Sequence, residues 1–559
     1  MVAQIRPPVL PQPDSAGRAG RSIRAVLALA FFGVALLYTA VIHFATPVYP
    51  EDDAFIIYRY VDNVVAGKGL VYNEGQRVFG ASTPLYVAGL ALAKTVLRST
   101  PTPDLAVRLN FIAYLAAGLG LFLLLRRLTG RRAAAALLAA FFILRDDMLR
   151  VSTGGMEAFL FVGLMLWSLW ALAGQMFVLA GILAGVSVLA RLEGVLLAGL
   201  VLVGWLVADR RKILPVLAGL FVPGLAWIAF GFAYYGTPVY HSIVAKSRPL
   251  YPLRFGDAPA RIWKEIECRA LGNLARWPAN GEPIKWRFTV LTVATLLLLG
   301  LAVWGCSRRR EPRASELDLG HDPNRLTIRS CPSLVLLGLF LLLYLVTNPL
   351  MFPWYYPPVI VLWYVATIAG ISRLGRPQAT VRRRASSRVI TALLVLFFGV
   401  TTLRQPLGRA VTGGSLADIG LTGDPVRTRI AAYRAAAEWL NQTLPDGVTV
   451  VGPEVGSLGY YYKGPLVDAC GLVSPEALPF LPVPAAERFS ADCGTISREL
   501  VQALTPDVVV TMGTFAGISL YTDPWFKQSY VKVKMFDLPE QAWNTPTVDV
   551  FFRADRVSR

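Results

Sequence analysis

The chain has 559 residues, of which 55% are hydrophobic and 16% charged, with a formal net charge of +19 and a mean hydropathy of +0.50. A water-soluble protein carries roughly a quarter charged residues, so composition excludes an array of ordinary soluble domains and predicts a polytopic α-helical membrane protein. The basic residues stand in short clusters between apolar runs, the pattern of cytoplasmic loops, and imply no nucleic acid. The five cysteines contain no CxxC pair, which excludes a zinc finger, a thioredoxin-like dithiol and a cysteine-rich scaffold.

In chain order, residues 1–22 include the Pro-rich stretch Pro7 to Pro13 and are expected to be a disordered cytoplasmic tail. Residues 23–404 form the expected transmembrane domain. Its first span, Ile23 to Phe44, follows Arg18, Arg21 and Arg24 and precedes no small-residue cleavage site, so it is expected to stay as an anchor with a cytoplasmic amino end. Pro84 to Leu97, at roughly 14 residues, falls short of the ~20 that a bilayer demands. Counting it as a span would also carry Arg126, Arg127, Arg131 and Arg132 outside, so it is expected to be an interfacial helix.

Further spans fall near Leu105 to Leu125, Ala133 to Leu144, Glu157 to Leu172, Phe177 to Ala190, Val195 to Val207, Ile213 to Tyr235, Phe288 to Trp304, Ser333 to Val346, Pro357 to Ile371 and Val389 to Leu403. This register of about eleven transmembrane helices places Arg210 to Lys212, Arg308 to Arg310 and Arg382 to Arg384 on the cytoplasmic side. The odd number puts residues 405–559 outside, as a soluble extracytoplasmic α/β domain with a helix near Ile430 to Leu440 and strands near Val448 to Val451 and Val508 to Thr511. Cys470 and Cys493 lie in this tail, either as a disulfide or as two buried thiols, and Cys306 and Cys331 fall beside a cytoplasmic loop.

Two extracytoplasmic loops share one face, the first within 45–104 and the second within 236–287. The first opens with Glu51-Asp52-Asp53 directly after the first span, where carboxylates are costly unless used or paired; a solvated helix cap is the plainer alternative. Arg59 lies seven residues past Asp52, two helical turns on and on the same face, with Tyr58 and Tyr60 alongside. The second loop carries His241, Lys246 and Arg248 at the outer boundary, suited to a lipid-linked phosphate or to snorkelling. Near the outer ends of spans, Glu157, Arg191 and Glu193 are candidates for substrate binding or for an ion pair between helices. Trp354 and Tyr355 sit in an outward aromatic turn, either an interfacial belt or a sugar platform.

The first loop reads Asp-Asp-Ala-Phe-Ile-Ile-Tyr-Arg-Tyr from Asp52, then Asn63, then Gly-Lys-Gly-Leu-Val-Tyr-Asn-Glu-Gly from Gly67. With Gly155-Met156-Glu157, Ala190-Arg191-Leu192-Glu193-Gly194, Tyr235-Gly236-Thr237-Pro238 and Ala245-Lys246, it resembles the GT-C membrane glycosyltransferases that use polyprenyl-phosphate sugars. That family includes protein mannosyltransferases and lipid A aminoarabinose transferases, and the motifs look most like the branch with the mycobacterial terminal arabinofuranosyltransferases. The resemblance implies a GT-C fold, Asp52 or Asp53 as catalytic base, and Lys246 at the donor phosphate. The chain departs from the branch at His241-Ser242, where an Asn-Thr pair is expected, and at Gly80 to Pro84, where an aromatic-rich stretch is expected. Arabinose is therefore not carried over.

The residues fit the chemistry on their own terms. Displacing a polyprenyl phosphate from an anomeric carbon needs a carboxylate to take the acceptor proton and cations for the departing phosphate. Asp52 suits the first task and Lys246, Arg248 and Arg59 the second, while Glu157, Arg191, Glu193, His241, Tyr58, Trp354 and Tyr355 are candidates for substrate contact. Whether Asp53 orients the acceptor or holds a divalent cation is left open. The expectation is thus a bacterial cell-envelope glycosyltransferase in the inner (plasma) membrane, inverting, with a polyprenyl-phosphate-linked sugar donor and a glycan, lipid or protein acceptor. The alternatives are a transporter or flippase of lipid-linked sugars and a non-enzymatic glycan-binding scaffold.

Overall fold

The computed structural model describes residues 15–45, 50–208, 212–248, 250–251, 253–270, 293–304 except 294 and 302, 331–374, 381–411, 425–490, 494–542 and 545–557. The Pro-rich stretch, Arg210, Arg211, Cys306, Arg308 to Arg310 and Cys493 lie outside the described residues, as do residues 271–287 of the second loop and 288–292 of the expected span Phe288 to Trp304.

The membrane half is helical. It comprises α1 (Ser15–Ala45), α2 (Asp52–Val65), α3 (Pro84–Val96), α4 (Thr102–Thr129), α5 (Arg132–Ile143), α6 (Asp146–Thr153), α7 (Ala158–Ala173), α8 (Phe177–Ala190), α9 (Gly194–Ala208) and α10 (Ile213–Tyr235), then α11 (His241–Ser247), α12 (Ala258–Ala270), α13 (Pro332–Thr347), α14 (Tyr356–Leu374) and α15 (Val381–Val411). Among the described residues four stretches, Ser22–Phe44, Thr102–Thr129, Ile213–Tyr235 and Pro353–Ser372, are long and apolar enough to cross a membrane. The pair α6 and α7, bent by 116°, makes a fifth if it is one broken span. Most other expected spans are apolar helices of 10–17 residues, so length alone does not reach eleven. The helix α3, expected to be interfacial, has 13 residues, with Pro84 at its first position, where the missing N–H costs nothing.

The break between α6 and α7 has a local cause. Gly155 adopts φ 75°, a conformation that residues with a Cβ avoid, and its carbonyl accepts the hydroxyls of Tyr58 at 3.1 Å and Tyr86 at 2.8 Å. The turn fastens Glu157, at the amino end of α7, beside α2 and α3.

The tail begins with α16 (Pro425–Thr443) and builds a five-stranded sheet in the order β2-β1-β3-β5-β4. Strands β1 (Val450–Gly452), β2 (Leu466–Asp468) and β3 (Val508–Met512) are parallel neighbours, while β5 (Thr545–Arg553) and β4 (Tyr530–Ala542) add antiparallel strands at one edge. The three parallel strands are wholly buried, which is why they read as short valine-rich runs without alternation. The carboxyl ends of β1 and β2 run into the loops 453–456 and 469–474. These loops and the helix α17 (Ser457–Tyr461) rest on the first loop of the membrane half.

Candidate active site

The acidic triplet is divided by the fold. Asp52, 8% exposed, accepts the backbone N–H of Ser457 on Oδ1 at 2.8 Å and of Gly456 on Oδ2 at 3.1 Å. It thus caps the tail helix α17, and a Cβ at position 456 would overlap it. Burial raises the proton affinity of Asp52, opposed by the Arg429 guanidinium and the two N–H groups. Glu51 is raised by burial too, opposed by Arg150, Arg427 and Arg429. Asp53 is only half-buried and has no hydrogen-bond partner among the described residues. Burial pushes its carboxyl up to about 6, against the pull of Lys246.

Lys246 stands in α11 with an exposed side chain and likewise has no hydrogen-bond partner among the described residues. Tyr355 foremost, then Asp53 and Glu193, hold its proton on. Behind it, Arg191 bridges Glu157 and Glu193 at 2.7 Å each, joining the α6–α7 break to the α8–α9 turn. Its guanidinium lies 5.0 Å from the ring centroid of Tyr355. The second carboxylate oxygen of Glu157 is buried without a partner. Trp354 and Tyr355 belong to an aromatic turn in which Phe352 and Trp354 stack at 4.9 Å. Asp53, Lys246, Glu157, Arg191, Glu193 and Tyr355 are therefore brought together.

Other sequence candidates are placed elsewhere. Arg59 is a correction: all five of its N–H donors are engaged, on the carbonyls of Tyr72, Gly459, Tyr462 and Gly464 and on Asn73 Oδ1, and its guanidinium stacks on Tyr72 at 4.6 Å. It clamps the tail, with no donor left for a phosphate. Tyr58 spends its hydroxyl on Gly155. Arg248 donates to Leu478 O of the tail at 3.1 Å. His241 bonds through its backbone to Phe79 O at 2.8 Å, and its Nε2 is buried without a partner; burial lowers its proton affinity. Cys470 is a free, buried thiol and so forms no disulfide with Cys493, and Cys331, by contrast, is disulfide-bonded.

Several residues around the site were not legible from the sequence. Arg429 of α16 pairs with Glu454 at 2.9 Å, and burial pushes the Glu454 carboxyl up to about 8 against that pull. Asp468 accepts three backbone N–H groups, from Cys470, Leu472 and Val473, and burial still raises it to about 7. The available signal was Gly452-Pro453-Glu454-Val455-Gly456, a turn sequence directly after a strand. Among the described residues, no group of three His, Cys, Asp or Glu side chains is arranged to hold a metal ion.

Comparison with solved structures decides the fold. The crystal structure of ArnT from Cupriavidus metallidurans bound to undecaprenyl phosphate aligns with 97% of this chain and 99% of that one at a TM-score of 0.50 and 12% identity. The chain has the GT-C fold. The apo state of the same ArnT aligns over 96% of this chain and 98% of that one, with a TM-score of 0.48 and 14% identity. In sequence, this GT-C chain is 34% identical over 217 residues to the terminal beta-(1->2)-arabinofuranosyltransferase of Mycobacterium tuberculosis. That match takes in 35% of this chain and 34% of the relative, so the chain spans about a third of the curated relative it matches. A family model described as a domain of unknown function (DUF8728) matches residues 426–552, the docked α/β tail.

Proposed function

We propose that the chain is an integral membrane glycosyltransferase that moves a sugar from a polyprenyl-phosphate donor to an acceptor hydroxyl on the extracytoplasmic face. The observation that carries this is the pair of opposite charges, Asp53 and Lys246, which act on one another and have no hydrogen-bond partner among the described residues. Asp53 takes the proton as the acceptor O–H breaks and the oxygen attacks the anomeric carbon. The bond from that carbon to the phosphate oxygen breaks, and its electron pair leaves on polyprenyl phosphate, whose developing charge meets the Lys246 ammonium. No covalent nucleophile takes part, so configuration inverts. The solved ArnT holds undecaprenyl phosphate and the curated relative is named for arabinofuranosyl transfer, so a pentofuranosyl donor is the first to try. The topology proposed with this is a cytoplasmic amino end, residues 23–404 in the plasma membrane and residues 405–559 outside.

The test is sugar release from a panel of synthetic polyprenyl-phosphate pentoses and hexoses by the purified protein, beside Asp53→Asn and Lys246→Met. Turnover by wild type, abolished in Asp53→Asn with unchanged thermal unfolding, is expected. A wild type that turns over no donor removes the proposal.

A transporter or flippase stays as the second reading because of the helix broken between α6 and α7, with a polar turn at the break. Movement of lipid-linked sugar across proteoliposomes, without sugar release, would favour it.

A further inference from the structure

We propose that Glu454 of the tail and Tyr251 of the second loop bind the sugar hydroxyls of the acceptor beside Asp53, so that the acceptor subsite lies on the seam between the tail and the membrane half. This rests on the transferase reading above and extends it to the acceptor.

The loop 453–456 touches both partners of the seam. On one side Gly456 and Ser457 hold Asp52, which brings Glu454 close to Asp53, the residue after Asp52. On the other, Pro453 O accepts the Cys470 thiol at 3.4 Å, and Cys470 belongs to the apolar cluster with Leu250, Leu481 and Val483 against which Tyr251 packs. Arg488 fastens the same stretch by donating to Leu250 O at 2.6 Å and Val483 O at 2.8 Å. Three segments distant in sequence therefore deliver Asp53, Tyr251 and Glu454 to one place.

Their polar groups are unspent. The Tyr251 hydroxyl and the Asp53 carboxylate have no hydrogen-bond partner among the described residues, and Glu454 uses only its pair with Arg429. Burial foremost, then Cys470, Asp53 and Glu454, raises the proton affinity of the Tyr251 hydroxyl. A further hydroxyl, that of Tyr433 on α16, is fully buried without a partner, and Glu454, Arg429 and Asp52 are the charges that act on it. The position in the sheet agrees. Glu454 follows the carboxyl end of β1, and open α/β sheets bind ligands at the carboxyl ends of their parallel strands. Carboxylates accept from sugar hydroxyls, and a tyrosine can both donate and stack.

The experiment measures two fates of one donor on the full-length protein: transfer to a panel of pentose and hexose oligosaccharides, and hydrolysis to water. Glu454→Gln is expected to raise the acceptor KM at least ten-fold and to lower the ratio of transfer to hydrolysis by a similar factor, with the donor KM unmoved. Tyr251→Phe, which removes a hydroxyl that has no hydrogen-bond partner among the described residues, is expected to shift the same ratio several-fold and keeps the test decisive if Glu454→Gln folds poorly. Both variants leaving the acceptor KM within two-fold, or lowering transfer and hydrolysis together, would overturn the subsite alone. A wild type that hydrolyses donor but transfers to no sugar also overturns it. A wild type that does neither overturns the transferase reading, and this subsite with it.

Discussion

Ser457 donates its backbone N–H to Oδ1 of Asp52 at 2.8 Å, across 405 residues of sequence. With Gly456 on the other oxygen, this bond turns the first acid of an Asp-Asp pair into a joint between the two halves of the molecule. It leaves the second acid, one residue on and about 100° around the helix, without a hydrogen-bond partner among the described residues.

Asp53→Asn should therefore abolish sugar release, by a factor of roughly 10² to 10⁴, the usual contribution of a positioned base. The fold should be unharmed or slightly steadier, because a half-buried charge without a hydrogen-bond partner among the described residues is removed. Asp52→Asn should instead lower stability by about 1–3 kcal/mol, since an amide cannot replace a carboxylate that accepts two N–H groups. Sugar release measured beside thermal unfolding separates the two acids.

For Lys246→Met, the donor KM should rise roughly ten- to a hundred-fold, as expected from losing a charge-assisted bond of about 1.5–3 kcal/mol to phosphate. Lys246 has no protein hydrogen bond to lose among the described residues, so the unfolding temperature should hold. Titration of initial rates against donor concentration reads the change.

Arg59→Ala should loosen the tail rather than weaken donor binding. The substitution removes every hydrogen bond from Arg59 to Gly459, Tyr462 and Gly464, and the carbonyls left behind lose their donors. Hydrogen exchange should rise selectively in residues 455–466, which Tyr72 and Asn73 also hold, through Val455 O at 2.5 Å and Leu466 O at 2.9 Å. Unchanged exchange there, with a raised donor KM, would return Arg59 to the phosphate.

The rate should fall as pH drops through about 6, where burial places the Asp53 carboxyl, because only its ionised form accepts a proton. Stability runs the other way. The unfolded carboxyl titrates near about 4, so between there and about 6 the folded chain binds more protons than the unfolded one, and the contribution of this group declines as pH rises through that window. A pH profile of kcat/KM, compared with unfolding temperatures for wild type and Asp53→Asn, checks both signs.

Arg191→Met should destabilise the fold by about 3–5 kcal/mol, the range for breaking a buried ion pair, because it strands Glu157 and Glu193 together. Thermal unfolding should detect it even where activity is already lost.

The apolar runs, the arginine clusters and the first-loop motif determined a great deal by themselves. Hydrophobic length and composition do not depend on what packs against them, so the helices, the short α3 among them, and the α/β character of the tail were readable locally, as was the meeting of Lys246 with the acidic loop. The tertiary structure alone decided which carboxylate is open. Asp52 and Asp53 are chemically alike, and only the arrival of Gly456 and Ser457 distinguishes them. It likewise decided that Arg59 is a clamp, since a guanidinium takes its role from whichever carbonyls surround it, and here most of these come from residues 459–464. Glu454, Arg429 and Tyr251 carry no motif, because their proximity to Asp53 is a property of how a distant sheet docks, and contacts across 400 residues leave no periodicity in the chain.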